Sequence, residues 1–275
     1  MNTEQVVRTE LITLEPSEAL ANLLGVAVPM GELPPLWHWI HLLERRPHVD
    51  LGPDGHPTSG IPEPPGLGRK RMFAGGRVSS YAGLSYGIPA TRTTWVAGTR
   101  QKQGQTGPMT FVTIRNEYSQ DGRIAIVDDY DIVYRTDASQ VTMQPGSLAD
   151  EPPPAEREPF LTLTVDEALL FRFSALTYNA HRIHYDHNWA RQEGYSSLVV
   201  HGPLQALMMA ELIRRKGDGV LGQQFAYRLT APMIGPQTFT VLPALKGLHA
   251  GAEVRDVHGN VTAVSTVAPI AHEDE

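Results

Sequence analysis

The chain has 275 residues, a formal net charge of −7 and a hydrophobic fraction of 41%. This length fits one large domain or two of modest size, and the negative charge argues against a general nucleic-acid or anionic-membrane binder. Cysteine is absent, which excludes disulfide bonds, a thiol nucleophile and cysteine-based metal sites. Because no apolar run approaches the roughly 18 residues of a membrane span and no basic, apolar leader is visible, we expect a cytoplasmic protein.

The first half of the chain is predicted to contain one short helix followed by strands. Its LEPSEAL stretch predicts an amphipathic helix with Ser17 as the N-cap. Residues 91–97, 109–118 and 123–135 are rich in β-branched and aromatic side chains, which is typical of strands. The QDG sequence at 120–122 predicts the hairpin turn between the last two strands.

A proline-rich boundary, LADEPPPAEREPF, divides the chain. Its three consecutive prolines lack N–H donors and favour an extended backbone. The LTVDEAL stretch that follows echoes LEPSEAL, and Asp166 is its predicted N-cap. We therefore expect two copies of one fold: an N-terminal domain at 1–149, a linker at 150–159 and a C-terminal domain at 160–275.

The second half contains one strongly apolar helix, PLQALMMAELIRRKG. Pro203 suits its first position and Gly217 its end. Apolar residues cover so much of its surface that the helix should be buried. Strands are predicted at QFAYRL, QTFTVLPAL, GAEVRDVHG and VTAVSTVAP, with a turn at 256–260. A buried helix wrapped by an antiparallel sheet is the hotdog arrangement.

Two patterns suggest chemistry that the sequence around them does not support. His181, His184 and His187 recur every three residues, but this spacing cannot place all three on one helix face and no HExxH motif is present, so we predict no metal. We interpret His181 and His187 as turn residues. The GLSYG sequence at 83–87 matches G-x-S-x-G, yet a strand-like segment follows it where a nucleophile elbow needs a helix.

The segment YNAHRIHYDHNWARQEGYSSLVVHG, residues 178–202, carries the strongest functional signal. Asp186 is the predicted N-cap of a short helix, which leaves Asn179 and His184 in the tight approach to it. Gly202 immediately precedes the buried helix, whose first N–H groups lack intrahelical partners and can bind a developing oxyanion. The sequence thus supplies a histidine base, a polar partner and an oxyanion site.

FSALTYNAHRIHYDHNWA, followed by VVHGPLQALMMA, resembles the MaoC-like hydratase/dehydratase family of the hotdog superfamily. Against that family's usual S-G-D-x-N-P-x-H-x-D motif, Thr177 takes the serine place and Asn179 the catalytic aspartate place. His184 takes the place of the catalytic histidine, and Gly202 that of the oxyanion glycine. Asparagine cannot exchange a proton as aspartate does, so the source of the proton for the α-carbon stays open.

The form YNAHRIHYD is similar to mitochondrial-type 3-hydroxyacyl-thioester dehydratases and to bacterial mesaconyl- and itaconyl-CoA hydratases. LPPLWHWIHLLE, KRMFAGGRV, GPMTFVTIRNEY and DIVYR extend the resemblance to the latter into the first half. It implies an α+β double hotdog, with two antiparallel sheets each wrapped around a central helix. The first half lacks N-x-x-x-x-H and is expected to be non-catalytic. The implied reaction adds water to itaconyl-CoA or mesaconyl-CoA to give citramalyl-CoA, as in itaconate degradation.

Substrate binding is assigned to basic and polar side chains. Arg71 and Arg77 in the GRKRMFAGGR stretch, and Arg228 on a predicted strand, could neutralise CoA phosphates or a free carboxylate on the acyl group. Tyr178 and His201 complete the predicted substrate contacts. CoA is part of the substrate, so we expect no separate cofactor.

We also expect a homo-oligomer, with a dimer preferred, and neither nucleic-acid nor membrane partners. Four alternatives remain open at this point. They are a general 3-hydroxyacyl-thioester dehydratase of fatty acid metabolism, a thioesterase, a zinc hydrolase and a non-catalytic acyl-thioester-binding module.

Overall fold

The computed structural model describes residues 4–63, 69–104, 107–136 and 157–271, so most of the linker predicted at 150–159 lies outside the described residues. The described part contains four α-helices and ten strands. The helices are α1 (Glu15–Leu24), α2 (Glu167–Leu176), α3 (His187–Gln192) and α4 (Gly202–Lys216). The strands are β1 (Val6–Leu11), β2 (Arg69–Ser80), β3 (Pro89–Gly104), β4 (Gly107–Gln120), β5 (Arg123–Thr136), β6 (Leu161–Val165), β7 (Gln223–Leu229), β8 (Gln237–Pro243), β9 (Ala252–Arg255) and β10 (Val261–Pro269). No described helix is long and apolar enough to span a bilayer.

All ten strands belong to one antiparallel sheet, in the order β1-β3-β4-β5-β2-β7-β10-β9-β8-β6. The strands that precede the linker form one half of this sheet and those that follow it form the other. The halves meet where β2 pairs with β7, from Gly75 opposite Arg228 to Ser79 opposite Gln224. The two sheets predicted from sequence are therefore joined edge to edge.

Helix α4 is buried, as its composition predicts. Every residue from Leu204 to Ile213 is buried, including two polar ones. Gln205 accepts a hydrogen bond from the Thr262 hydroxyl at 2.7 Å, and Glu211 accepts one from Trp37 Nε1 at 2.9 Å. These partners offset the cost of burying polar groups beside the sheet.

The described N-terminal half contains no helix of comparable length. Residues around a short 3₁₀ helix, Trp37–Ile40, fill its core instead. Leu36, Trp37 and Leu42 are fully buried there, within the same apolar cluster as α4. The Trp37–Glu211 hydrogen bond links the halves across this shared core.

Local signals located two helix starts and one hairpin turn correctly. Asp166 accepts a hydrogen bond from the Leu169 N–H, and Asp186 accepts two from the first turn of α3, so both predicted caps are confirmed. The predicted turn between β4 and β5 is also confirmed, with left-handed φ angles of 51° at Asp121 and 75° at Gly122.

The prediction that Ser17 caps α1 was wrong. The helix begins at Glu15 with Leu14 as the N-cap and Pro16 in its first turn, which leaves Ser17 buried inside the helix. Proline is favoured at that position because its missing N–H has no intrahelical partner there. The GLSYG segment is followed by β3, not by a helix, so it is no nucleophile elbow.

Candidate active site

A cavity of about 1860 Å³ opens between the two halves of the sheet. Asn179, His184 and Gly202 all line it, so the three predicted catalytic residues lie on one cavity. The N-terminal half supplies the other wall, from the loop at 56–62 and from strands β2, β4 and β5. The cavity is therefore shared between the halves.

His184 ends a 3₁₀ turn at Arg182–His184 and is buried. Its Nδ1 lies 2.7 Å from the carbonyl oxygen of Val199. Because a carbonyl only accepts, Nδ1 carries the hydrogen and Nε2 holds the lone pair. Burial lowers the pKa of His184 to about 3, although the hydrogen bond to Val199 acts in the opposite direction. The imidazole is therefore neutral near pH 7 and can accept a proton.

Asn179 is oriented by the turn that follows α2. Its Oδ1 accepts a hydrogen bond from the backbone N–H of His181 at 3.0 Å. Since that donor fixes the amide orientation, the Nδ2 group is left as a donor, and no partner for it is found among the described residues. The Asn179 Nδ2 group can thus donate a hydrogen bond to the oxygen of a water molecule, but it cannot take a proton from that water.

Gly202 begins α4, where the first N–H groups point away from the helix. A Cβ atom at this position would lie 2.1 Å from Leu229 Cδ1. Glycine therefore lets Leu229 pack against the start of the helix, and the positive potential at this N-terminus favours negative charge.

Residues 36–235 match the family described as hydroxyacyl-thioester dehydratase type 2. A mesaconyl-C(4)-CoA hydratase from Chloroflexus aurantiacus is 39% identical over 262 residues, which cover 93% of this chain and 88% of that protein. The chain belongs to the hydroxyacyl-thioester dehydratase type 2 family. As a member it is a hydro-lyase of the hydratase/dehydratase type.

Solved structures of low sequence identity confirm the predicted α+β double hotdog fold. HtdX of Mycobacterium tuberculosis has a TM-score of 0.69 at 16% identity, covering 97% of this chain and 100% of that one. A MaoC-like dehydratase from Phytophthora capsici has a TM-score of 0.67 at 14% identity, covering 98% of each chain. A further M. tuberculosis protein, described as a double hotdog, has a TM-score of 0.55 at 14% identity, covering 97% of this chain and 96% of that one.

In this dehydratase-family site, two predicted substrate contacts lie away from the cavity wall. His201 is buried behind His184, with the two rings stacked at 3.7 Å, and its Nε2 lies 2.8 Å from the Ser174 hydroxyl. Burial lowers the pKa of His201 well below its usual value. Tyr178 has a left-handed backbone, with φ of 52°, and a side chain that is 53% exposed outside the cavity. Neither placement supports direct substrate contact.

The predicted arginines separate into two groups. Arg71 and Arg228 line the cavity, and no ion-pair partner for either is found in the described part of the chain. Arg77 lies outside it and pairs with Asp129 at 3.0 Å. Strand alternation would place positions 71 and 77 on one face, but β2 carries an irregularity between Phe73 and Gly75. Such a bulge reverses the side-chain alternation beyond it.

Sequence reasoning missed a contribution from the N-terminal half. His56 lines the cavity, and its Nδ1–H donates to Asp54 Oδ2 at 2.9 Å. Burial lowers the pKa of His56 to about 4, against the raising effect of Asp54. Burial alone would raise the pKa of Asp54, but hydrogen bonds from the His56 ring and backbone hold it at about 2. His181, interpreted from sequence as a turn residue, also lines the cavity, with its ring 4.0 Å from that of His56.

Asp54, His56 and His181 are the described residues that bring three potential metal-ligating atoms within 4.8 Å of one another. The carboxylate of Asp54 already accepts hydrogen bonds from both the ring and the backbone of His56. His181 joins this pair through a ring contact with His56. The three-residue sequence Asp54-Gly55-His56 is too short a pattern to be assigned to the site from the sequence alone.

Proposed function

We propose that the protein is an enoyl-CoA hydratase that adds water to a short, branched dicarboxylic enoyl-CoA such as itaconyl-CoA or mesaconyl-CoA. The observation that carries this proposal is one cavity lined by His184, Asn179 and Gly202 together with two arginines, Arg71 and Arg228. The similarity to a mesaconyl-C(4)-CoA hydratase supports the same substrate class. The product would be citramalyl-CoA, and such an enzyme would serve itaconate breakdown.

The proposed reaction uses each of the three central residues once. His184 Nε2 accepts a proton from water as the water oxygen bonds to the β-carbon. In mesaconyl-C(4)-CoA, whose double bond is conjugated with the thioester, the electron pair of that bond moves toward the thioester oxygen, which the Gly202 N–H and the positive end of α4 stabilise. The Asn179 amide donates a hydrogen bond to the water oxygen and holds it in place.

The two arginines supply the selectivity. A desolvated carboxylate without a partner is costly, whereas a guanidinium can bind it through two hydrogen bonds. A simple fatty acyl chain would require an apolar wall at the same place. We therefore expect Arg71 and Arg228 to favour a dicarboxylic acyl group over crotonyl-CoA.

A substrate panel tests this proposal. Hydration of mesaconyl- and crotonyl-CoA is followed by the loss of enoyl absorbance and hydration of itaconyl-CoA by chromatography of the hydroxyacyl-CoA product, with free CoA measured to detect thioesterase activity. Replacing Arg71 or Arg228 by Gln should lower kcat/KM for the dicarboxylic thioesters about 10- to 100-fold, the value of a charged hydrogen bond, and should affect crotonyl-CoA little. Arg77→Gln is the matched control outside the cavity.

Equal turnover of crotonyl-CoA by the unmodified enzyme would contradict the dicarboxylate assignment. A general 3-hydroxyacyl-thioester dehydratase would then replace it. Binding of these thioesters without hydration or CoA release would instead show a non-catalytic acyl-thioester-binding module.

A further inference from the structure

A row of three imidazoles connects the two halves of the chain inside the cavity. His184 and His181 come from the C-terminal half, and their ring centroids lie 5.5 Å apart. His56 comes from the N-terminal half and lies 4.0 Å from His181. His181 therefore lies between the proposed base and a histidine that hydrogen bonds to the Asp54 carboxylate.

The loop that carries His56 is held closely against the catalytic turn. The backbone N–H of Arg182 donates to the carbonyl oxygen of Asp54 at 2.9 Å, and the Arg182 guanidinium donates to the carbonyl oxygen of Pro53 at 3.0 Å. Gly55 has φ of +88°, and a Cβ there would lie 1.8 Å from the carbonyl oxygen of Ala180. This fit requires glycine, so the position of His56 is fixed by the fold.

Charge differs along the row. His184 is stacked on a second buried imidazole, His201, and its Nδ1 meets a neutral carbonyl. At His181, the Glu193 carboxylate is 3.7 Å from Nε2, beyond normal hydrogen-bond reach. His56 has an ionised carboxylate at 2.9 Å, which stabilises a proton on its ring. Within this row, His56 is thus the imidazole with a carboxylate at hydrogen-bond distance.

We propose that the Asp54–His56 pair delivers the proton to the α-carbon, and that water in the cavity beside His181 carries a proton from His184 to His56. This inference rests on the proposed hydratase function and supplies the acid that Asn179 cannot provide. One water proton moves to His184 as the oxygen–β-carbon bond forms and the π electron pair shifts toward the thioester. No hydrogen bond joins the three imidazoles among the described residues, so water in the cavity carries the proton from His184 to His56. The Nε2–H of His56 then protonates the α-carbon. All three imidazoles return to their neutral state, and the net reaction is the addition of one water molecule.

The test compares His56→Gln, Asp54→Asn and His48→Gln in the full-length protein. His48 is an exposed histidine in the same region, outside the cavity, and serves as the control. The His56 and Asp54 variants should lose about 10²–10⁴-fold in kcat, the usual contribution of an acid–base group, with KM little changed. His48→Gln should match the unmodified enzyme. Thermal unfolding confirms that each variant folds.

A second measurement separates proton delivery from a structural role. In D₂O, the reverse reaction exchanges the α-hydrogen of the hydroxyacyl-CoA product with solvent, and His56→Ala should lose this exchange. Added imidazole should restore part of both the exchange and the hydration, because it can occupy the vacated space and carry the proton. A variant that has lost only packing would not respond to imidazole.

Three results would overturn the relay. One is a kcat for His56→Gln within about threefold of the unmodified enzyme, because the loss would then be far smaller than an acid–base group causes. If His184→Ala were inactive in the same assay, the hydratase proposal would stand without the relay. Another is a stoichiometric metal in the purified protein whose chelation abolishes activity, which would make the cluster a metal centre. The third is failure of the unmodified enzyme to hydrate any thioester of the panel, which would remove the hydratase proposal as well.

Discussion

At the scale of single residues, the site depends on which hydrogen-bonding atoms are already occupied. The carbonyl of Val199 fixes His184 with the lone pair on Nε2, and the N–H of His181 fixes Asn179 with its amide as a donor. Two side chains that could each act in several ways are thereby left with one role each. Burial keeps His184 neutral, so the proposed base needs no deprotonation at neutral pH.

His184→Ala should abolish hydration while the protein stays folded, because the proton then has no acceptor at the water. Asn179→Ala should lose less, about 10²–10⁴-fold, since the residue orients water and does not take its proton. Steady-state kinetics, with circular dichroism as the check on folding, measure both effects. Full activity in the His184 variant would show that another group is the base.

Gly202→Ala should reduce kcat/KM by crowding the oxyanion site. The new methyl would lie 2.1 Å from Leu229 Cδ1, and Leu229 itself lines the cavity. Loss of one oxyanion donor lowers kcat about 10²–10³-fold in comparable sites, and we expect the Gly202→Ala effect to be no larger than this. Leu229→Ala combined with Gly202→Ala should recover part of the rate, relative to Leu229→Ala alone. No recovery would mean that the methyl blocks the ligand directly.

At the scale of elements, the loop at 52–58 is the least expected part of the site. It belongs to the half that lacks the N-x-x-x-x-H pattern, yet it places a histidine in the cavity wall. Backbone contacts to the 180–182 turn hold it there. The half expected to be non-catalytic therefore builds part of the site.

Gly55→Ala should separate this loop from the catalytic turn. The added Cβ would meet backbone at 1.8 Å, which cannot move as a side chain can. We expect a stability loss of about 1–3 kcal/mol, from strain of this kind, and a hydration defect similar to that of His56→Gln. Gly122→Ala is a matched control, since Gly122 also has positive φ but no atom within 4 Å of a Cβ. It should lose stability and keep activity; similar activity in both variants would show that the loop position is unimportant.

Elements whose signals are local could be predicted from the sequence. A side chain caps its own helix at Asp166 and Asp186, and the turn at 120–122 requires only its own residues. The Ser17 prediction failed because Pro16 starts the helix earlier. The bulge in β2 could not be predicted from the sequence either. It places Arg71 at the cavity and Arg77 outside it.

At the scale of the whole molecule, the parts that escaped prediction join distant segments. Arg182 contacts Pro53 across 129 residues, and Glu211 contacts Trp37 across 174. Asn179, His184 and Gly202 lie close together in the sequence, so a motif could identify them. The position of His56 follows only from how the halves pack, which no local pattern encodes.

Stability should fall as the pH is lowered from about 7 to 5. Burial lowers the pKa of His41, His56, His184 and His201, with values of about 4, 4 and 3 for the first three. These groups remain neutral in the folded protein but gain protons when unfolded below about pH 6.5, so their stabilising effect is present above that pH and lost below it. At about 1.4 kcal/mol per pKa unit, the contribution of each histidine to the free energy of unfolding should fall by up to about 2 kcal/mol by pH 5.

Urea unfolding at pH 7 and pH 5 measures this loss. His41→Gln removes one such group. His41 lies outside the cavity, and its Nε2 is 3.3 Å from the Ser17 hydroxyl. The variant should show a smaller drop in unfolding free energy between the two pH values than the unmodified protein. An equal drop would assign the pH dependence to other groups.

The pairing of β2 with β7 also bears on how the protein would behave as two polypeptides. Because a shared sheet and a shared core hold the halves together, fragments ending at Thr136 and beginning at Arg157 should reassociate when mixed. Neither fragment contains all the cavity-lining residues, so activity should appear only in the complex. At low concentration it should rise with the product of the two fragment concentrations, whereas the activity of the intact chain rises linearly with enzyme.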